Sequence, residues 1–368
     1  MPDLAARIAY RIRREGPLTI AAYMAMALHD PEDGYYARHD PLGRAGDFTT
    51  APEISQIFGE LLGFWCADLW QRMGEPDPVI LAELGPGRGT LLSDLLRATD
   101  RVPGFRGALR LHLVESSPIL RRVQRQRLRG ASPQFVDRAD ELPPGPLLLV
   151  ANEFLDALPI RQLVRGHEHW CERLVTVAPD KDELTFADGP EAVLLTRLIP
   201  PALRDAPAGT VVELCPGATA LAAELGQRLV REPGAALFID YGYHPAAAGP
   251  SLAALRHHAP ADPLAAPGTA DLSAHVDFAA FATAATSAGA TAHGPVGQGR
   301  FLCELGAEAR LAALSRAATP GQRATHESAV HRLIDPGQMG TLFKVLALTS
   351  PGLPGPAGFA GTPVAGGS

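Results

Sequence analysis

Residues 78–92 read PVILAELGPGRGTLL, and this stretch constrains the fold more tightly than any other. Val79 to Ala82 is an apolar, β-prone run closed by Glu83. Gly85, Gly87 and Gly89 then alternate with Pro86 and Arg88, and Thr90-Leu91-Leu92 opens a run with helical periodicity. A buried strand that turns through glycines into a helix N-terminus belongs to α/β architecture, and such turns are where those proteins grip nucleotide-like ligands. Glycines let the backbone approach a ligand where a Cβ would clash. The spacing rules out two common versions. A dinucleotide fingerprint, G-x-G-x-x-G, needs glycine where Thr90 stands, and a phosphate loop, G-x-x-x-x-G-K-[ST], needs a lysine that is missing here.

A second apolar run, LRLHLV over 109–114, ends at Glu115. An acidic residue at the tip of the second strand of a doubly wound sheet can accept from ribose hydroxyls. One carboxylate can take both. Taken alone, Glu115 reads equally well as a solvated strand end. The net charge of -7 gives no footprint for nucleic acid. Arg121, Arg122, Arg125, Arg127 and Arg129 form a basic run whose spacing reads as a solvated helix face. Cys66, Cys171, Cys215 and Cys303 are scattered with no C-x-x-C pair, so neither a zinc site nor a disulfide framework is expected. No His/Asp/Glu group has metal-ligand spacing. No apolar run approaches the ~18 residues of a membrane span. Residues 4–14 are Arg-rich but carry flanking Asp3 and Glu15, and read as a first helix of the fold, not as a targeting segment. A reducing, cytoplasmic compartment fits these features.

Residues 1–78 read as an N-terminal helical region, with a loop-like stretch over 30–52 and a helix expected over 53–73, Thr50 near its N-cap and Pro52 in its first turn. Strand and helix patterns then alternate. Strands are expected over 79–83, 109–115, 134–136, 147–152, 235–240, 291–296 and 341–348, with helices between them. Near-continuous apolar strands separated by helices predict a parallel sheet covered on both faces. About eighty residues separate the fourth and fifth strands, far more than a crossover needs. Alternating patterns over 162–164, 170–177 and 184–186 predict a small antiparallel sheet there. We read 157–215 as an insertion that covers the site or binds substrate, 79–350 as the main domain, and the Pro/Gly/Ala-rich 351–368 as a flexible tail.

The run E-x-G-x-G-x-G over 83–89 resembles motif I of the class I methyltransferases that use S-adenosylmethionine (SAM). Six further peptides narrow the likeness: GDFTTAPEISQIFGELLG (46–63), VESSPILRRVQ (114–124), NEFLDALPIRQ (152–162), FIDYGY (238–243), PGTADLSAHVDF (267–278) and MGTLFKVLA (339–347). Together they resemble the MidA family of SAM-dependent methyltransferases, from about residue 16 to 350. The resemblance implies a class I, Rossmann-like α/β fold with a seven-stranded sheet, an N-terminal helical region and an inserted small β/helical subdomain. It implies SAM as cofactor and S-adenosylhomocysteine as product. Mitochondrial members of the family are protein-arginine methyltransferases acting on a core subunit of respiratory complex I, so a protein substrate of that kind is implied, in the mitochondrial matrix for the eukaryotic relatives.

Carried over by position, the resemblance places Gly46, Asp47, Thr49, Glu83, Gly85, Gly87, Gly89, Glu115 and Asn152 on the cofactor. Asp47 would meet its amino group and Thr49 its carboxylate; a plain loop cap is the alternative for Asp47. The segment 152–156 follows the fourth strand, where open α/β sheets bind ligands. Arginine is a poor nucleophile because its guanidinium is delocalised and stays protonated. Paired carboxylates would bind it bidentately and orient one nitrogen. Glu153 and Asp156 could form that pair, with Asp240 completing the acceptor pocket and His275 taking the departing proton. Capping by Asp156 and pairing of Glu153 with Arg161 are the plainer alternatives. His257 and His258 are weaker candidates of the same kind. Methyltransferases of amide or amino-adenine nitrogen carry an N/D-P-P-Y/F motif in this place, and N-E-F-L is not that; an acidic residue favours a cationic acceptor. A non-catalytic SAM-binding assembly factor and a small-molecule methyltransferase stay open as alternatives. The aromatics over 53–73 exceed what one buried face needs, which leaves a homodimer open.

Overall fold

Three segments, Thr49–Leu155, Ala220–Gly242 and Ala280–Ser368, gather into one unit built on a large mixed sheet; Met1–Phe48, Asp156–Thr219 and Tyr243–Ala279 gather into another. The computed structural model describes residues 3–38, 50–181, 183–361 and 364–365.

The strands of the first unit are β1 (Val79–Leu84), β2 (Leu109–Val114), β3 (Gln134–Val136), β4 (Leu147–Asn152), β5 (Gly234–Tyr243), β6 (Thr291–Gly297) and β7 (Phe343–Thr349). Their spatial order is 3-2-1-4-5-7-6. Pairing is parallel from β3 through β5, and β7 enters antiparallel between β5 and β6. β1 is buried along its whole length, and β4 and β5 along most of theirs, because helices cover both faces. That double cover is why these strands read as unbroken apolar runs. The sheet exceeds the seven strands expected: Val364–Ala365 pairs with the outer edge of β6. The strand order reverses between β1 and β4, so the switch point, where open α/β sheets take ligands, lies at their carboxyl ends.

The helix expected over 53–73 is two helices, Ala51–Ile54 and α1 (Gln56–Arg72). Ser55 breaks them with an extended backbone, and its Oγ accepts from the Ile57 N–H at 3.3 Å as the N-cap of α1. α1 packs along α2 (Thr90–Ala98) through Gly59 and Gly63. A Cβ at Gly59 would lie 2.9 Å from the Leu91 carbonyl oxygen, and one at Gly63 would lie 2.9 Å from that of Leu95. Glu60, between these glycines, is fully buried and receives Arg97 from α2 at 2.8 Å and Arg310 at 2.6 Å. Phe58, Trp65 and Trp70 are buried in this unit's own core, which removes the surplus of aromatics read as a dimer face; Phe64 alone of the helix's aromatics is exposed. The expected flexible tail is anchored over part of its length. Phe359 is buried against Phe301, with ring centroids 5.4 Å apart, and Trp65 Nε1 donates to the Ala357 carbonyl at 3.2 Å.

The second unit does not follow the boundary expected at residue 78, nor is 157–215 self-contained. Helix Leu4–Glu15 is capped by Asp3, and Ile20–His29 by Thr19. Their apolar faces, including Leu4, Ile8, Ile20 and Met24, share a core with Val175, Ala254 and Leu272. The antiparallel sheet here runs Leu18–Thr19, Trp170–Val177, Arg161–Arg165, Val211–Leu214, with Leu184–Glu191 pairing Trp170–Val177. N-terminal residues thus complete both the sheet and the core of the expected insertion. Among the described residues, no helix is long and apolar enough to cross a membrane.

Candidate functional site

The glycine turn sits at the end of β1. Gly85 has a left-handed φ of 59°, and its N–H donates to the Val114 carbonyl of β2 at 3.1 Å. A Cβ there would lie 2.9 Å from Cδ2 of Phe154, so the turn and the segment after β4 are in contact with no room for a side chain. Gly89 caps α2 with its own left-handed conformation. The first residue of α2, Thr90, hydrogen-bonds the Glu53 carboxylate through Oγ1, tying helix Ala51–Ile54 to the turn.

Glu83 is 3% exposed, and its Oε2 is buried without a hydrogen-bond partner. Burial pushes its carboxyl well above the usual carboxylate range. Asn152, at the end of β4, has its Oδ1 buried and unpartnered as well. Two unsatisfied acceptors on adjacent strands at the switch point call for a ligand rich in donors. An amino acid ammonium and ribose hydroxyls are such donors, so these residues fit SAM.

Glu115, at the tip of β2, is 9% exposed. Its Oε1 accepts from the Ser117 N–H at 2.7 Å and its Oε2 from Gln124 Nε2 at 3.1 Å. Each oxygen keeps a further lone pair for a hydroxyl. Burial raises the Glu115 carboxyl, against these hydrogen bonds, which lower it. Gln124 was invisible as a site residue in the basic run around it. It lies in helix α3 (Pro118–Arg127), is fully buried, and also donates to the Gly87 carbonyl at 2.7 Å. The signal was present: Leu120, Gln124 and Leu128 share one helix face, and a lone polar residue on an apolar stripe is unusual. The rest of the run is not wholly solvated either. Arg121 donates to the Glu115 carbonyl at 2.6 Å, and the Arg121 and Arg125 guanidiniums lie over the Phe135 ring.

Glu153 follows β4 with φ at 51°, a left-handed conformation rare for a glutamate. Its N–H donates to the Ile239 carbonyl of β5 at 2.9 Å. Its Oε1 accepts from the Ala51 N–H at 3.1 Å and from Asn152 Nδ2 at 3.0 Å, which fixes the carboxylate. Arg161 is not its partner; that guanidinium forks onto Glu172. Asp240, expected in the acceptor pocket, serves the backbone instead. Its Oδ2 accepts from the Phe154 and Leu155 N–H groups at 3.1 and 2.9 Å, and its Oδ1 from that of Tyr241 at 2.9 Å. Three amide donors on one 1%-exposed carboxylate make it the clamp of the 152–155 turn.

The remaining expected residues that the structure describes belong to the second unit. Asp156 belongs to the second unit, 8% exposed, with its carbonyl accepting from the Ala274 N–H at 2.9 Å. His275 is exposed in the same unit, its main-chain N–H on Ser251 Oγ at 2.8 Å. His257 and His258 are the exposed, left-handed turn residues between strands Ala253–Arg256 and Ala259–Ala261, a conformational role in a hairpin. Gly46, Asp47 and Thr49 lie outside the described residues. Among the described residues, no group of three or more His, Cys, Asp or Glu is placed to hold a metal ion.

A glycine turn at the switch point of this sheet, an acidic tip on the neighbouring strand and unsatisfied acceptors between them define a Rossmann-like nucleotide-cofactor enzyme of the methyltransferase class. The model of the family described as "Putative S-adenosyl-L-methionine-dependent methyltransferase" matches residues 61–296. The chain is 36% identical over 381 residues to the mitochondrial protein arginine methyltransferase NDUFAF7 homolog of Drosophila melanogaster, covering 94% of this chain and 84% of that one. To the human mitochondrial protein arginine methyltransferase NDUFAF7 it is 35% identical, covering 92% and 81%. A crystal structure from Burkholderia thailandensis bound to S-adenosyl-homocysteine superposes with a TM-score of 0.83 at 31% identity, covering 98% of this chain and 95% of that one. The chain belongs to the MidA family of SAM-dependent methyltransferases. It is a methyltransferase, and SAM is its cofactor.

Proposed function

We propose that this enzyme methylates an arginine side chain of a protein, with a core subunit of an NADH dehydrogenase-type respiratory complex as acceptor. One observation carries the residue-level reading: Glu153 is held left-handed at the end of β4, its Oε1 fixed by Ala51 and Asn152. Strained backbone that its surroundings over-determine is characteristic of working sites. The names of the relatives support arginine as the acceptor. Exposed Val193, Leu194 and Leu198, at 56, 74 and 59%, give the 157–215 segment an apolar surface suited to a protein partner.

Within this reading, Glu83, the glycine turn, Glu115 and Asn152 hold the cofactor. When bound, SAM supplies an electrophilic methyl group on a sulfonium. Glu153 binds the acceptor guanidinium through charge-assisted hydrogen bonds, orients one nitrogen in line with the methyl–sulfur bond that breaks as the methyl–nitrogen bond forms, and keeps the positive charge on the other nitrogens, while the methylated nitrogen gives up its proton to water. Asp240 acts one step back, by fixing the turn that carries Glu153. A cytoplasmic location is part of the proposal; Phe58, Trp65 and Trp70, buried within their own unit, lend a homodimer no support. The test is incorporation of labelled methyl from SAM into the candidate subunit, with mass spectrometry of the modified arginine. Glu153→Gln is expected to lower kcat by a factor on the order of 10² or more while S-adenosylhomocysteine binding stays within about twofold. Binding of SAM without any methyl incorporation would point instead to an assembly factor.

A further inference from the structure

We propose that Gln124 is a positioning residue that locks the two halves of the cofactor site together. Its Nε2 donates to the Gly87 carbonyl at 2.7 Å and to Glu115 Oε2 at 3.1 Å. One half is the glycine turn after β1; the other is the acidic tip of β2. Both neighbours are acceptors only, so the amide can present nothing but its NH2 group, and its two N–H bonds are matched to two partners. The side chain is fully buried, so water does not compete for either partner. Its Oε1 is buried and unpartnered, a cost the helix bears to put the NH2 group there. α3 holds the residue rigidly: Leu120 and Leu128, one turn to either side, are buried with it. The spacing between turn and carboxylate, and the orientation of that carboxylate, are thus set by one side chain that need not touch the ligand.

The proposal rests on the placement of SAM against Glu115 and the glycine turn, and the test separates the two. Titration calorimetry with S-adenosylhomocysteine is run on the full chain, on Gln124→Met, on Glu115→Ala and on the double variant. Methionine keeps the length and burial of Gln124 and removes its amide, taking away both donors together with the unpartnered Oε1. The expected result is a melting temperature near wild type without ligand, a dissociation constant raised about tenfold or more, and a double variant no weaker than Glu115→Ala by more than about twofold. A merely structural role would give losses that add. Gln124→Asn, one methylene short of both acceptors, must show the same loss and stands in if the methionine variant folds poorly. Binding within about twofold of wild type in both Gln124 variants, or additive losses, overturns the proposal. Unchanged binding in Glu115→Ala overturns the placement of the cofactor beneath it.

Discussion

Glu83 is a carboxyl sealed at the end of a strand with an oxygen that lacks a donor. Burial holds its folded-state titration above the unfolded value, so the native state binds more protons, and stability is lost as pH rises from the unfolded pKa toward the folded one. Ligand-free Glu83→Gln is therefore expected to melt above wild type at pH 8, with the gap closing toward about pH 4, while SAM affinity falls. Parallel melting curves across that range would contradict this. Gly85→Val is expected to abolish SAM binding in calorimetry. The obstruction is Phe154, 2.9 Å from the would-be Cβ, together with a left-handed φ that costs about 1–2 kcal/mol for an ordinary residue. The glycine turn and Glu115 were readable in the sequence because local spacing encodes them. Gln124 was readable only as a lone polar residue on an apolar helix face, and Phe154 and the backbone clamp of Asp240 were not readable, because each acts on a neighbour from another strand or helix.

The element scale shows the same division. β1, β4 and β5 announced themselves through near-continuous apolar runs, and the helices Leu4–Glu15 and Ile20–His29 through Ile8, Ile12 and Ile20. The break at Ser55 was hidden, because Glu53, Ile54 and Ile57 continue a helical pattern straight through it. The ordered part of the tail was hidden by its Pro/Gly composition, in which Phe359 is a large buried anchor and Leu353 packs against the same core. The α1–α2 pairing is an exacting contact. With glycine at both 59 and 63, the helices approach until Cβ positions meet carbonyl oxygens. Gly63→Leu is expected to destabilise by about 1–3 kcal/mol, since neither backbone can retreat without disturbing the buried Glu60 cluster beside it. Thermal or denaturant unfolding checks this; a neutral result would mean that the pair can spread.

For the molecule as a whole, the residues proposed above to hold the cofactor that the structure describes all belong to the sheet unit. Saturating S-adenosylhomocysteine, at about 100 times its dissociation constant, is expected to stabilise that unit by about 2.7 kcal/mol. Hydrogen exchange should slow at β1, β2 and β4 more than in the sheet formed by Arg161–Arg165 and Trp170–Val177. Equal slowing in both would show that the two units open as one. The boundaries expected from the sequence nest a single insertion, 157–215, within 79–350, whereas each unit takes three separate segments of chain. That interleaving has a consequence in time. During synthesis Leu4 and Ile8 emerge first, yet their core partners Leu264 and Leu272 are among the later residues to appear. At roughly 5–20 residues per second, the apolar faces of the first two helices wait on the order of tens of seconds for cover. Until then, a nascent chain of this protein carries apolar helix faces that no other part of its own core yet covers.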